Sequence, residues 1–546
     1  MDRRVILAIV LMLIVAVLPS ILFPPKKQAA RRSGALGASE STPPPPAPAT
    51  PLGAPRLPLH APLAPALAET VWVTGPQYRM GFSTRGGGLV RAELVDFRSF
   101  APGDAAGPVQ LVPPGVVLLA PRLVLGTDTV KLADWTFRPS VPALRVAGDS
   151  ARLRFVAERR GARVTLDYTF APDEYRFQVA GHITGLGPTG AVAVVDLGDG
   201  LRSVEADSAD DFRHYAVVTK AAKTQSTSFQ SLKPGTVKVL DGPFEWVGIK
   251  SKYFLVALLT LDEGEPKFAG SIAVGEPRVG RAGARAVVSA TLPVPAAGAF
   301  RFEVYVGPLE YRRLARIGHD LDDANPYGGV LRPLIQPVSN LVVNILLWMH
   351  ERLQLAYGWV LIIFGVLVRL LLWPLNQRAM ESSIRMQAVA PLIKSTQDKY
   401  KDDPERLQRE MMKIYKDHQV NPFGGCLPMV LPMPVLFALF FVFANTIEFR
   451  GVPFLWLPDL SRADPYYIIP IMMGVSMFVL SKVGQIGVPP NPQSTTMLYF
   501  MPVFMTVLFV RFASGLNLYY AVSNIFSIPQ QYRIARQRLR RQGRQT

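Results

Sequence analysis

The sequence predicts a polytopic α-helical membrane protein with a large antiparallel β-sandwich outside the membrane. Long apolar runs lie at the N-terminus and in the last third of the 546 residues. Their number predicts six transmembrane helices, five of them in a C-terminal core. Between these runs lie a Pro- and Ala-rich stretch and then many short segments in which apolar and polar residues alternate. This alternation is typical of strands that are buried on one face.

Composition limits the classes of function. The chain is 49% hydrophobic with a formal net charge of +18, a mixture unlike that of one soluble globule. Cys426 is the only cysteine, so no disulfide framework is predicted. There is no Gly-x-x-x-x-Gly-Lys-Ser/Thr sequence, and His182, His214 and His319 are scattered without an acid–base partner. We therefore expect no enzymatic activity, no metal and no cofactor.

Residues 1–23 are expected to form an N-terminal transmembrane anchor. Arg3 and Arg4 precede the apolar run at 5–23, and Lys26 and Lys27 follow it where a small-residue cleavage site would be required. We therefore expect the anchor to remain uncleaved. Residues 24–68 are dominated by Pro and Ala and should form an extended tether.

Residues 69–312 are predicted to form the β-sandwich domain. Period-two segments at 152–156, 164–170 and 175–179 are bounded by Gly, Pro and Asp. Many segments of this kind indicate one large antiparallel sandwich.

Residues 313–355 are interpreted as a linker followed by an amphipathic helix. Gln336, Asn340 and Asn344 share one stripe of a helical pattern, and apolar residues fill the other side. Trp348 and Arg352 favour a position in the membrane interface. A helix packed on the soluble domain is the alternative.

Residues 356–532 are predicted to form the five-helix core. Its spans are expected at 357–375, 427–444, 466–485, 496–510 and 515–531. The last two are separated by so few residues that they should form a tight hairpin. Basic residues cluster at the N-terminus, between the first two core spans and in the tail at 533–546. The positive-inside rule places these parts in the cytoplasm and the β-domain on the far side, in a periplasm-like space.

Residues 379–419 are polar, helical and broken near Asp403, which is suited to cap a helix beginning at Pro404. Two amphipathic helices should pair here as a cytoplasmic hairpin. Met386, Met411 and Met412 offer an adaptable surface for recruiting apolar nascent segments. A rigid spacer is the alternative. The basic tail is suited either to ribosomal RNA or to anionic lipid.

Arg369 is the most unusual residue of the core because it lies inside an apolar run. At about 1.5 Å of rise per residue it lies about 16 Å from Gly358 and about 13 Å from Arg378, near the middle of a ~30 Å hydrocarbon layer. A cation there costs at least about 2.5–3.5 kcal/mol, so it should face protein or water. A side chain that reaches the cytoplasmic interface is the alternative.

Polar side chains and prolines in the later spans suggest a hydrophilic groove around Arg369. Thr506, Ser523 and Asn524 lie at comparable depth, and helices interrupted by proline need partners for their freed carbonyls. Hydrogen bonds between helices are the alternative explanation of these polar residues.

Several groups of core residues resemble the motifs of the YidC-type membrane protein insertases, in the long form of Gram-negative bacteria. The similarity covers residues 357–532, and the β-rich part matches in position, best at 246–254. The matching residues are Val368-Arg369, Trp373-Pro374-Leu375, Asn421-Pro-Phe-Gly-Gly-Cys426-Leu-Pro428, Met433-Pro434, Asp464-Pro-Tyr-Tyr467-Ile-Ile-Pro470-Ile-Met-Met-Gly474, Phe500-Met501-Pro502 and Ser514-Gly515-Leu-Asn-Leu-Tyr519-Tyr520-Ala-Val-Ser523-Asn524.

This resemblance implies an insertase and chaperone for nascent membrane proteins in the bacterial inner membrane, working alone or with the Sec translocon. It implies that Arg369 lines a groove, with Tyr520 nearby, and attracts polar or acidic substrate segments. It also implies an apolar slide along which the substrate helix leaves. The slide residues would be Met433, Val435, Leu436, Phe504, Leu508 and Phe509.

A secondary transporter or channel that uses Arg369 as an anion site is the competing interpretation. Transporters usually contain internal repeats with matched broken helices. We find no such repeat, and five core spans do not divide into two halves.

Overall fold

A computed structural model describes residues 68–542, apart from residues 105–106, 127, 160, 173, 186–189, 262–265, 278–282, 326, 328–330, 402, 421–432 and 488–491. The predicted anchor at 1–23 and the tether up to residue 67 lie outside the described residues. The motif at 421–428 and the beginning of the second core span, at 427–432, also lie outside them.

The described residues contain twenty strands, all in the first part of the chain. They are β1 Thr70–Thr74, β2 Tyr78–Ser83, β3 Leu89–Arg98, β4 Pro108–Gln110, β5 Ala120–Leu125, β6 Asp128–Lys131, β7 Arg138–Pro139, β8 Ala143–Arg145, β9 Ala151–Arg159, β10 Ala162–Phe170, β11 Arg176–Thr184, β12 Ala191–Gly198, β13 Ala216–Lys220, β14 Thr224–Ser228, β15 Val237–Phe244, β16 Trp246–Lys250, β17 Phe254–Leu259, β18 Phe268–Gly275, β19 Ala286–Val294 and β20 Ala299–Pro308.

These strands form three sheets. A five-stranded sheet has the order β4-β3-β2-β1-β8, and a six-stranded sheet has the order β15-β18-β19-β12-β5-β6. The largest sheet has nine strands in the order β14-β13-β16-β17-β20-β11-β10-β9-β7. The pairings are antiparallel apart from that of β1 with β8, which run parallel with Val73 opposite Leu144. The predicted antiparallel domain is therefore confirmed except at this pair, where distant segments rather than a hairpin meet.

The sheets share one apolar core. Along β10, buried positions alternate with less buried ones as the period-two pattern predicts. The ring of Phe82 on β2 lies 4.9 Å from that of Tyr168 on β10 and 5.8 Å from that of Phe177 on β11, measured between centroids. These aromatic contacts join the five-stranded sheet to the nine-stranded sheet, as expected for a sandwich.

The described residues also contain nine α-helices. They are α1 Ser208–Arg213, α2 Tyr311–Ile317, α3 Arg332–Leu353, α4 Tyr357–Lys399, α5 Pro404–Asp417, α6 Met433–Asn445, α7 Ile468–Gly484, α8 Pro492–Phe509 and α9 Ser514–Gln542.

Helix α3 confirms the predicted amphipathic helix and packs against α6. Val342 and Leu346 are buried in this contact, whereas Leu341 and Trp348 are exposed. The helix therefore has one apolar side that packs on protein and a second that is free of it.

Within the described residues, one segment, Tyr357–Arg378 of α4, is long and apolar enough to cross a membrane. Met433–Asn445, Ile468–Gly484 and Leu498–Phe509 are shorter apolar helices. The predicted spans therefore all coincide with helices where they are described, but their lengths do not by themselves establish six crossings.

Helices α8 and α9 are joined by a short connection, as predicted, yet both pack mainly against α7. A Cβ atom added to Gly474 of α7 would lie 1.9 Å from Oγ1 of Thr506 on α8. Asn524 of α9 donates a hydrogen bond from Nδ2 to Oγ of Ser476 on α7, at 3.3 Å. Small residues of α7 therefore contact both α8 and α9. The two helices of the predicted hairpin pack on α7 rather than mainly on each other.

The chain divides into two compact units, one containing Asn376–Val430 and the other containing Ala66–Leu375 and Leu431–Thr546. In the first unit, Oδ1 of Asp403 accepts a hydrogen bond from the backbone N–H of Arg406 at 3.0 Å. Pro404 follows as the first residue of α5. The predicted helix cap is therefore confirmed.

Within the second unit, the β-domain contacts the connection that follows α6. Nε of Arg450 lies 2.7 Å from Oε1 of Glu205, and both side chains are largely buried. Nδ2 of Asn325 donates a hydrogen bond at 2.7 Å to the carbonyl oxygen of Asn445, the last residue of α6. The first contact connects the sandwich directly to the helical core, and the second connects the segment that follows the sandwich to the end of α6.

Candidate functional site

Arg369 lies on α4 and is half-buried. Its Nη2 donates a hydrogen bond to Oε1 of Gln530 on α9 at 3.2 Å, and its buried Nε has no hydrogen-bond partner within the described part of the chain. No acidic side chain among the described residues forms an ion pair with it. The described residues of the core therefore hold a guanidinium that has no acidic partner among them and that uses only part of its hydrogen-bonding capacity.

A local contact between α4 and α9 at Gly365 helps to place this side chain. A Cβ atom on Gly365 would lie 3.3 Å from Cδ2 of Tyr519 and 3.5 Å from Cγ1 of Val522, so glycine allows the two helices to approach. Arg369 follows one turn after Gly365 on the same face of α4. The lone cation is thus held against protein on one side.

The other predicted groove residues do not hydrogen-bond to Arg369 among the described residues. Oγ1 of Thr506 donates to the carbonyl of Pro502 on its own helix, at 2.8 Å, and Asn524 bonds to Ser476 as described above. The ring of Tyr520 packs 5.4 Å from that of Phe509, between centroids. Ser523 is half-buried. The position of a polar residue along a predicted span therefore did not identify the side chains that contact Arg369.

The residue that sequence reasoning missed is Gln530, which is 2% exposed. It comes directly after Pro529 at the end of an apolar stretch of α9, and an uncharged amide at the edge of a predicted span was the signal that could have revealed it.

The predicted slide residues separate into two groups. Met433, Val435 and Leu436 on α6 and Leu508 on α8 are half-buried, and Phe504 is 45% exposed. Phe509 is buried against Phe512 and Tyr520 and does not belong to an exposed face, because it ends α8 where the chain turns back.

The structure adds three residues to the exposed face of α8. Phe500, Val503 and Val507 recur with Phe504 at helical spacing, and all four side chains are largely exposed. The rings of Phe500 and Phe504 stack with centroids 5.5 Å apart. The exposed apolar face of α8 is defined by these four residues, and uniform hydrophobicity hid it from sequence analysis.

In the segment predicted to form the recruitment hairpin, Met412 is 60% exposed, and Met386 and Met411 are half-buried. Helix α5 contains no fully buried residue. Asp403 caps α5, and its place in a recruitment hairpin stays a prediction. Among the described residues, no cluster of three or more His, Cys, Asp or Glu side chains is suited to hold a metal ion.

Two family profiles match the chain. One, described as the 60Kd inner membrane protein, matches residues 348–541, and the other, described as the YidC periplasmic domain, matches residues 70–341. The class of protein is therefore an inner membrane protein with a β-rich periplasmic domain.

The membrane protein insertase YidC of Syntrophus aciditrophicus is 31% identical over 484 residues, which are 86% of this chain and 85% of the relative. That of Oleidesulfovibrio alaskensis is 31% identical over 502 residues, 89% of each chain. A solved structure of an active YidC insertase with its first transmembrane domain resolved is 18% identical and covers 96% of this chain and 99% of its own, with a TM-score of 0.34. The chain belongs to the YidC family of membrane protein insertases.

Proposed function

We propose that this protein inserts nascent membrane proteins by capturing their polar or acidic segments at Arg369 and releasing their apolar segments along α6 and α8. The observation that carries the proposal is the guanidinium of Arg369 inside an apolar helix, which has no acidic partner and a buried Nε without a hydrogen bond as far as residues 68–542 are described. A substrate carboxylate or backbone carbonyl would complete its hydrogen bonds.

The physical chemistry of translocation supports this role. A polar loop that crosses an intact bilayer loses the hydration of each backbone group, which costs several kcal/mol per group. A cation in a low dielectric attracts an acidic segment more strongly than it would in water. The membrane potential then favours outward movement of acid by about 2.3 kcal/mol per charge per 100 mV. This mechanism requires no nucleotide, metal or covalent chemistry.

Release follows the apolar side chains at the protein surface. The exposed face of α8 and the half-buried residues Met433, Val435 and Leu436 of α6 offer the emerging substrate helix an apolar path. Because lipid tails are equally apolar, the substrate helix can leave this path without losing hydrophobic contacts.

The proposed topology has six spans, with the N-terminus and the basic tail in the cytoplasm and the sandwich in the periplasm. The distribution of Lys and Arg supports this orientation. The hairpin with Met386, Met411 and Met412 receives nascent segments, and the ribosome, the Sec translocon and anionic lipids are the proposed partners. Exposed Arg533, Arg536 and Arg540 on α9 support contacts with phosphate groups.

Reconstituted insertion of two single-span substrates, differing only in an acidic or neutral translocated tail, tests the proposal. Arg369→Ala should impair insertion of the acidic substrate, whereas Arg369→Lys should largely retain it. Equal insertion of the acidic substrate by Arg369→Ala and by the unaltered protein would contradict capture by this charge.

Photocrosslinking during synthesis tests the path. Crosslinks from position 369 should appear first, and crosslinks from 433 and 503 later. If a folded protein gives no nascent-chain crosslink at any of these positions, the insertase mechanism fails, and anion flux would then test the transporter alternative.

A further inference from the structure

The side chain of Gln530 forms hydrogen bonds with two residues of α4. Its Oε1 accepts a hydrogen bond from Nη2 of Arg369, and its Nε2 donates one to the carbonyl oxygen of Trp373, each at 3.2 Å. Trp373 lies one turn beyond Arg369 on the same helix. The amide of Gln530 therefore spans one turn of α4 from the neighbouring helix.

The chemistry of the partners fixes the orientation of this amide. A guanidinium has only donors, and a backbone carbonyl has only an acceptor. The amide oxygen must therefore point to Arg369 and the amide nitrogen to Trp373. A side chain that is 2% exposed and held at both ends has little freedom to rotate.

Gln530 also supplies an acceptor without a charge. It satisfies one N–H group of the guanidinium, while the net charge of the site stays positive. A carboxylate of similar length would instead form a charge-assisted pair and compete with an acidic substrate.

We propose that Gln530 is a positioning residue for substrate capture, holding Arg369 in one orientation while preserving its charge. This inference rests on the proposed function, because it assigns the residue that makes Arg369 competent for acidic segments. It predicts that the chemical type of side chain 530, rather than its packing alone, sets the charge preference of insertion.

The test compares Gln530→Glu with Gln531→Glu in the full-length protein reconstituted into proteoliposomes. Gln531 is the matched control because its side chain faces α7, where a Cβ atom on Gly484 would lie 3.2 Å from its Nε2. Both variants thus add one carboxylate at neighbouring positions of α9, but only one of them is placed on Arg369.

Three substrates that differ only in the translocated tail are used, with acidic, neutral or basic side chains. Gln530→Glu should lower insertion of the acidic substrate about tenfold, leave the neutral substrate unchanged and raise insertion of the basic one. Gln531→Glu should leave all three near the unaltered level. A shift in preference between acid and base cannot arise from a folding defect, which would lower all three substrates together.

Gln530→Met, which keeps the volume but removes both hydrogen bonds, should lower insertion of the acidic substrate selectively and less than Gln530→Glu does. Equal losses on all three substrates would overturn the positioning role of Gln530. The same conclusion would follow if Gln530→Glu changed nothing while Arg369→Ala selectively lowered insertion of the acidic substrate. If Arg369→Ala itself shows no selective loss on the acidic substrate, the proposed capture mechanism fails first.

Discussion

Arg450 and Glu205, which are 245 residues apart in the sequence, form an ion pair of 2.7 Å between the helical core and the β-domain. The Arg450 guanidinium also lies 4.4 Å from the centroid of the Phe100 ring. One side chain from the connection after α6 thus contacts two residues of the β-domain. The sandwich and the core are therefore joined by a buried ion pair and a cation–π contact.

Arg450→Ala should destabilise this junction by about 3–5 kcal/mol, because it leaves the Glu205 carboxylate buried without its partner. Thermal unfolding of the purified protein would measure the loss. Arg154→Ala is the matched control, since Arg154 forms an exposed pair with Asp167 on the same domain and should change stability little. Equal melting temperatures for the two variants would contradict a structural role of the buried pair.

Glu448→Gln should remove a pH dependence of stability. Oε1 of Glu448 accepts a hydrogen bond from the backbone N–H of Tyr311, and the buried Oε2 has no hydrogen-bond partner among the residues that are described. Burial raises the pKa of Glu448 from 4.5 to about 7. Between these values the unfolded chain releases a proton that the folded protein keeps, so this group's contribution to stability declines as the pH rises, by about 3 kcal/mol in total.

The glutamine variant keeps the acceptor but cannot ionise. Its melting temperature relative to that of the unaltered protein should therefore increase from pH 4.5 to pH 7 and then level off. A difference that stays constant across this range would show that Glu448 does not titrate there.

Gly474→Ala should force α7 and α8 apart, because the new Cβ atom would lie 1.9 Å from Oγ1 of Thr506. Overpacking of this kind typically costs about 1–3 kcal/mol. Adding Thr506→Ala should restore most of the loss, as measured by thermal unfolding of the single and double variants. Additive losses in the double variant would mean that the two helices do not meet at these residues.

Val507→Asn should slow the release of substrate helices without unfolding the protein, because the side chain is 68% exposed on the apolar face of α8. We expect about a fivefold loss of insertion, since a polar amide disfavours the contact with an apolar segment. Val475→Asn on α7, where the side chain is 57% exposed, is the control for an equally apolar surface outside the proposed path. Equal losses at both positions would indicate a general effect on the membrane-facing surface.

Local chemistry explains what could be predicted from the sequence. Strands β9, β10 and β11 follow the period-two segments, and α3 follows the helical stripe that contains Gln336. The cap at Asp403 was also predictable, because capping involves residues only three positions apart. Each of these features depends on neighbours along the chain.

Faces of uniformly apolar helices were not predictable in the same way. Phe509 and Val507 are both apolar and two residues apart, yet Phe509 is buried and Val507 is exposed. A helix that is apolar all round carries no periodic signal for the side that packs. The part played by α7 between α8 and α9 likewise depends on where Gly474 meets Thr506, which is a contact between distant segments.

The sequence by itself determined that a cation lies within an apolar helix, that basic residues cluster between the apolar segments and in the tail, and that an alternating region precedes the core. The tertiary structure alone decided that Arg369 meets Gln530, 161 residues away, and that Arg450 pairs with Glu205. The reason is physical: composition and spacing fix local conformation and the cost of burying a charge. The partner that satisfies a buried group is fixed by which helix faces pack together.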